Sequence, residues 1–242
     1  MSGHSKWATT KRHKAVVDAK RSAVFTKIAK LITIAARDKG GDPTSNFSLR
    51  MAIDKGRAMN MPKDNIERAI KKGVGGSDGA QIEEIVYEGI GPVKAQFVLR
   101  CLTDSRNRTA SEIRHLFSKN GGALSSVMWN FSQKGIIRIT NDELKIKNYD
   151  NDDFELELVD AGAEDIEREE EGWTIYTKME DLMKVKNWLE GKNIATESAE
   201  IEYVAKEKAV VENAEDQERL EKFIEILEEN EDVSDYYTNV EI

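Results

Sequence analysis

The sequence predicts an α+β chain in three parts: an N-terminal helical bundle, then an α/β domain with a ferredoxin-like domain inserted into it. Three observations carry that reading. Apolar residues recur at helical spacing through a strongly basic first third. A glycine-rich stretch at 73–79 follows, too small to bury anything, and beyond it apolar residues alternate as in strands. Between 135 and 205 the elements then read strand, helix, strand, strand, helix, strand, the ferredoxin-like order, leaving a last helix and strand over. The leftover pair completes the earlier strand-rich set. The expected domains are therefore 1–79, basic and helical; 80–133 with 207–242, α/β; and 134–206, the ferredoxin-like insert.

Taken in order, Val16, Ala19, Val24, Ile28, Leu31, Ile32 and Ala35 recur at three- and four-residue steps, as in an amphipathic helix or a bent pair of helices. The other face carries Lys14, Lys20, Arg21, Lys27, Lys30 and Arg37, and Gly40-Gly41-Asp42-Pro43 ends it. A second helix over about 46–59 turns Leu49, Ala52 and Ile53 inward. Pro62 sits near the start of a third, with Ile66, Ala69 and Ile70 as its stripe and Gly73 closing it. Residues 1–14 lack an apolar period and read as a basic arm. Past the glycines, 82–90 reads as a strand and Gly91-Pro92 as a turn. Val93, Ala95, Phe97, Leu99 and Cys101 alternate along a second strand. A helix with Ile113, Leu116 and Phe117 inward ends at Gly121-Gly122, and 126–131 reads as another short strand. The insert is expected at 135–140, 152–161, 165–169, 173–177, 180–190 and 196–205, and the closing helix and strand at 215–229 and 233–240.

Charge is the second guide. The chain of 242 residues has a formal charge of −9. Residues 1–76 hold 17 basic and 6 acidic groups, a balance of +11, and the remaining 19 basic and 39 acidic groups leave −20. A basic module joined to an acidic body points to a polyanion partner confined to one end. The lone cysteine, Cys101, excludes an internal disulfide and a cysteine zinc site. With no long apolar run and no apolar leader, the expectation is a cytoplasmic protein without a membrane partner.

The candidate binding residues are His4, Lys6, Trp7, Lys11, Arg12, His13, Lys14, Lys20, Arg21 and Lys27. Lysine and arginine neutralise phosphates, and a tryptophan can stack on an unpaired base. The same run also reads as a solvated helical face with Trp7 in the core. A second set, Arg106, Asn107, Arg108 and Arg114, opens a helix that Asp104 or Ser105 could cap, with Ser111-Glu112 in its first turn. A helix N-terminus attracts anions, so this basic island is either a second phosphate contact or a capped, salt-bridged turn. His4 and His13 lack the converging partners a metal needs, and His115 stands alone. Cys101 lies on an apolar strand face as a core thiol. The acidic stretches 164–171 and 225–232 read as solvated faces. No phosphate loop, nucleophile elbow or dinucleotide fingerprint occurs, so no catalytic residue, cofactor, metal or small-molecule substrate is expected.

Several motifs, taken together, resemble the YebC/PmpR family: Gly3-His4-Ser5-Lys6-Trp7-Ala8, Phe25-Thr26-Lys27, Gly40-Gly41-Asp42-Pro43, the run from Met61-Pro62-Lys63-Asp64 to Gly73, Tyr87-Glu88-Gly89, Leu102-Thr103-Asp104-Ser105-Arg106-Asn107-Arg108-Thr109, and Tyr237-Thr238-Asn239-Val240. The resemblance spans nearly the whole chain. It implies three domains, with a ferredoxin-like domain set into an α/β domain, and a non-enzymatic regulator of gene expression. Bacterial members are commonly described as DNA-binding transcriptional regulators; others, including a mitochondrial translational activator of cytochrome oxidase subunit I, act in translation. This chain departs from the family in having Val93-Lys94 where further glycines are usual, one glycine fewer before Ala123, and a different order of basic residues in Lys11-Arg12-His13-Lys14. The resulting expectation is a ribosome- or RNA-associated factor bound to ribosomal or transfer RNA, with a DNA-binding transcriptional regulator as the alternative. No helix presents a recognition set for the major groove. A nuclease or RNA-modifying enzyme would need a clustered acid, histidine or cofactor site, and none is visible.

Overall fold

A computed structural model describes residues 18–75, 82–146, 149 and 152–241. In chain order the elements are α1 (Asp18–Lys39), α2 (Phe47–Ala58), α3 (Lys63–Val74), β1 (Glu83–Ile90), β2 (Gln96–Thr103), α4 (Arg106–Lys119), β3 (Ala123–Leu124), β4 (Phe131–Thr140), α5 (Asn141–Ile146), α6 (Asp152–Ala161), β5 (Ala163–Arg168), β6 (Gly172–Thr177), α7 (Leu182–Gly191), β7 (Ser198–Ala205), β8 (Ala209–Val210), α8 (Ala214–Glu229), β9 (Val233–Thr238) and β10 (Val240–Glu241). They form two compact units, one holding 15–129 and 207–240, the other 130–206.

The first unit begins with the bundle. Ile28, Ile32 and Ala36 of α1 lie four residues apart and bury one stripe against Leu49 and Ile53 of α2 and Ile66 and Ala69 of α3. Buried Asn46 fastens the first turn between helices. Its Oδ1 accepts from Leu49 N at 3.0 Å, capping α2, while its Nδ2 donates to Ala35 O and Gly40 O, both at 2.7 Å. One side chain thus satisfies the end of one helix and the start of the next. Gly73 does not close α3; it is buried inside it. A Cβ there would lie 2.8 Å from Ala36 Cβ and against the Thr33 carbonyl, so its absence lets α1 and α3 approach. The helix ends at Gly75, whose N–H donates to Lys71 O.

The sheet of this unit has the order β3-β1-β2-β9, so the closing strand pairs with the second strand across more than a hundred residues. Phe97 on β2 meets Phe117 of α4 and Phe223 of α8 edge-on, with centroids 6.3 and 5.1 Å apart. The alternating pattern expected of β2 is incomplete, because Val98 and Leu102 are buried as well as Phe97, Leu99 and Cys101. Both faces of this strand are covered. Residues 126–130 are not a strand, and Phe131 opens β4 instead. The backbone N–H groups of Val127 and Met128 both donate to Glu88 Oε2 at 2.7 Å, which takes them out of any ladder and turns Met128–Asn130 into a 3₁₀ turn. After Gly91-Pro92, Val93 and Lys94 have φ of 53° and 63°, the left-handed region that glycine adopts without cost.

The second unit has the antiparallel sheet order β5-β6-β4-β7, the ferredoxin-like arrangement. Phe154 of α6 is packed between Trp173 of β6 and Trp188 of α7, with centroids 5.8 and 5.9 Å away. Arg138 of β4 reaches along the sheet to Glu202 of β7 in a bidentate pair of 2.6 and 3.1 Å. The short helix α5 falls outside the sequence reading, since six residues are too few to show a period.

Candidate nucleic-acid interface

The expectations on His4, Lys6, Trp7, Lys11, Arg12, His13 and Lys14 lie outside the described residues, as do the side chains of Lys20 and Arg21, which stand in the first turn of α1. The described part of the basic module shows how it is fixed to the sheet. Lys27 and Lys30 were expected on a solvent-facing helical face; both turn inward instead. Lys27 Nζ donates to Glu228 O, near the C-terminus of α8. Lys30 Nζ donates to Leu102 O and Glu231 O at 3.0 Å and to Asp232 Oδ1 at 2.8 Å. Cations at the carbonyl end of a helix meet the negative pole of its dipole. Burial lowers the Lys27 ammonium to about 8, partly offset by Asp235 and Glu228. Farther along, Arg37 Nη1 reaches Ile82 O at 2.7 Å, and Lys55 of α2 shares Asp235 with Arg100 of β2. Part of the charge asymmetry therefore acts inside the protein.

The basic island is likewise partly internal. Arg106 pairs with Glu83 at 3.1 Å. Arg108 bridges Asp104 at 2.9 Å and Asp232 at 3.0 Å. Asp232 was expected on a solvated acidic face, yet its side chain is 6% exposed. Burial opposes its ionisation, but hydrogen bonds from Lys30, Thr109 and Arg108 hold its carboxyl below the usual carboxylate range. The anion beside this helix start is the chain's own. Neither Asp104 nor Ser105 caps α4 through its side chain; Thr103 Oγ1 accepts from Ser105 N at 2.9 Å. Ser111 and Glu112 come a turn later than expected, because the helix starts at Arg106. Asn107 and Arg114 remain exposed. The structure thus brings Lys30, Arg108 and Asp232 together, while Lys27 joins the end of α8 and Arg114 stands apart.

The sequence reading missed the cations of α3. Arg68, Lys71 and Lys72 are exposed on that helix, and Lys71 and Lys72 make no ion pair among the described residues. Arg68 and Lys72 line a cleft of about 710 Å³ between α1, α3 and the start of β1. Their signal was available in the run Asn65-Ile66-Glu67-Arg68-Ala69-Ile70-Lys71-Lys72, whose apolar and basic residues separate onto two faces of a helix.

No cluster of three His, Cys, Asp or Glu suited to a metal occurs among the described residues. The Cys101 thiol is buried and pushed up to about 12 by that burial, so it is an inert core group. No helix among the described residues is long and apolar enough to cross a membrane.

A cationic helical bundle seated on an α/β sheet, with a ferredoxin-like unit encoded between the strands of that sheet, defines a multidomain α+β protein with a segregated basic module. Known proteins share this architecture and sequence. Residues 5–76 match the TACO1/YebC protein N-terminal domain, and residues 82–240 match the TACO1/YebC second and third domain. A protein of Desulforamulus reducens named "Probable transcriptional regulatory protein" is 47% identical across all of this chain and 99% of its own length. A Bacillus licheniformis protein of the same description is also 47% identical, across 99% of this chain and all of its own. The crystal structure of a conserved hypothetical protein of Aquifex aeolicus superposes with a TM-score of 0.83 at 38% identity, covering 94% of this chain and 93% of that one. The chain belongs to the TACO1/YebC family.

Proposed function

We propose that this protein is a non-enzymatic regulator of gene expression that binds nucleic acid through its basic module, and that its ligand is ribosomal or transfer RNA on the ribosome. The observation that carries the reading is the charge left over after docking. Lys27, Lys30, Arg37 and Lys55 are engaged by the sheet and its loops, yet Arg68, Lys71 and Lys72 stay exposed on the same module that carries the basic arm. Surface cations clustered away from an acidic body suit a phosphate backbone. Trp7 in the arm favours RNA, because stacking needs an unpaired base that duplex DNA does not offer. Asn107 and Arg114 are the members of the island left to touch a second phosphate, with Arg106 exposed but paired to Glu83. The same proposal places the domain boundaries at 1–79, at 80–133 with 207–242, and at 134–206, and the protein in the cytoplasm. The break between the two family matches at 76 and 82 supports the first boundary.

The second reading is a DNA-binding transcriptional regulator, favoured by the names of the relatives. Ultraviolet crosslinking in cells, followed by sequencing of the bound nucleic acid, separates the two. Ribosomal or transfer RNA supports translation, and recovery of promoter DNA alone supports transcription.

A further inference from the structure

Resting on the RNA-binding reading, we propose that the cleft between α1 and α3 holds an unpaired nucleotide of a single-stranded RNA segment, with its base on the apolar floor and its phosphates on α3. The floor is made by Phe25 and Ala29 of α1, Met61, and Ala69 of α3. These groups offer a base a flat apolar contact and one aromatic ring. The cleft, of about 710 Å³, is open to solvent along its length, as a site for an extended strand must be.

The rim decides the kind of occupant. Arg68 and Lys72 stand four residues apart on one helix and line the same cleft, so their side chains are neighbours. Arg68 donates to Asn65 Oδ1 and to Asp64 O, bonds made within its own helix, and keeps its charge at the surface. With its oxygen held by Arg68, Asn65 keeps its amide N–H groups for the edge of a base. The third rim cation, Lys30, is committed to Asp232. Asp104 also lines the cleft and is paired with Arg108 at 2.9 Å. The exposed positive charge of Arg68 and Lys72 orients a polyanion along α3. An apolar floor with one cationic rim matches a nucleotide, which joins an apolar face to an anion. A duplex keeps its base faces stacked and cannot use the floor.

The test uses the full chain and a short mixed-sequence RNA containing 4-thiouridine, measured as a single strand and as a duplex. Crosslinked peptides of the wild-type protein should include Phe25 or Met61. Arg68→Glu with Lys72→Glu should lower single-strand affinity by about tenfold or more, as expected when two phosphate contacts are lost. Ala29→Leu, which fills the floor, should lower single-strand affinity and leave duplex affinity unchanged, with circular dichroism confirming that both variants fold. Wild-type binding with crosslinks confined to residues 1–21, or no change on Ala29→Leu, overturns the cleft and leaves the RNA reading standing. A gain in affinity on Ala29→Leu would mean that the chain's own amino-terminal segment occupies the cleft, and also overturns it. Failure of the wild-type protein to bind either form defeats both proposals.

Discussion

Removing the carboxylate of Asp232 should unfasten the basic bundle from its sheet. Asp232 is 6% exposed and accepts from Lys30 at 2.8 Å, from Thr109 at 2.7 Å and from Arg108 at 3.0 Å. In Asp232→Ala, Lys30 keeps two carbonyls, Arg108 keeps Asp104 and the Thr109 hydroxyl keeps Ser105 O, so the loss falls mainly on a half-stranded ammonium. Breaking a buried pair costs about 3–5 kcal/mol, and the remaining partners place this case near 3. For a chain of this size that is a drop of about 6–12 °C in Tm. Adding Lys30→Met to Asp232→Ala should recover part of the loss, because it removes the uncompensated charge. The carboxyl is held below its usual range, so its contribution is present above the ordinary carboxylate value and fades as pH falls through the lower, folded one. The gap between wild type and variant should therefore close below about pH 4. Urea unfolding gives the magnitude, and hydrogen exchange should place the weakening in α1, α4 and the segment around Asp232. A loss under about 1 kcal/mol, or one spread equally into β4–β7, would refute the reasoning.

Three further outcomes follow from particular atoms. Gly73→Ala should destabilise by about 1–3 kcal/mol in thermal melting, because its Cβ would meet Ala36 and the Thr33 carbonyl, more than cancelling the helix-propensity gain. Val93→Gly should stabilise by about 1 kcal/mol in urea titration by relieving a φ of 53°. Lys27→Met should be least harmful near neutral pH. Below about pH 8 the wild-type ammonium is charged in both states and the desolvation cost is present in full; between about 8 and 10.5 the folded state loses its proton first and the cost is relieved. Wild-type stability relative to Lys27→Met should therefore rise across that window in denaturant titrations at stepped pH, by at most about 3 kcal/mol.

Much of the architecture was legible because it rests on local patterns. The stripe of Ile28 and Ile32 announces α1, and the order of strands around Trp173 and Ile175 announces the inserted sheet. What the sequence concealed depends on partners far along the chain. A lysine on a helix reads as solvated, and nothing near Lys27 discloses that α8 ends against it two hundred residues later. Asp232 sits in an acidic run and looks like one more surface charge, yet it is the anion that two helices, α1 and α4, share. Glu88 looks like an ordinary strand residue, and only its bonds to Val127 and Met128 explain why 126–130 is no strand. Gly73 reads as a helix stop because glycine often is one; here it marks a close crossing. At the candidate interface, charge density in the sequence could not separate the cations that dock the bundle, such as Lys27 and Lys30, from those left exposed on α3.

The central claim is that this module reads RNA in preference to duplex DNA. The most direct measurement is a competition titration, at two salt concentrations, between ribosomes or structured RNA and duplex DNA for the full chain. Phosphate contacts alone lose duplex DNA steeply as salt rises, whereas stacking on unpaired bases persists. The account predicts that ribosomes or structured RNA win at physiological salt, and that Trp7→Ala narrows the margin. A DNA sequence bound specifically at high salt, with no association of the protein with ribosomes, would contradict it.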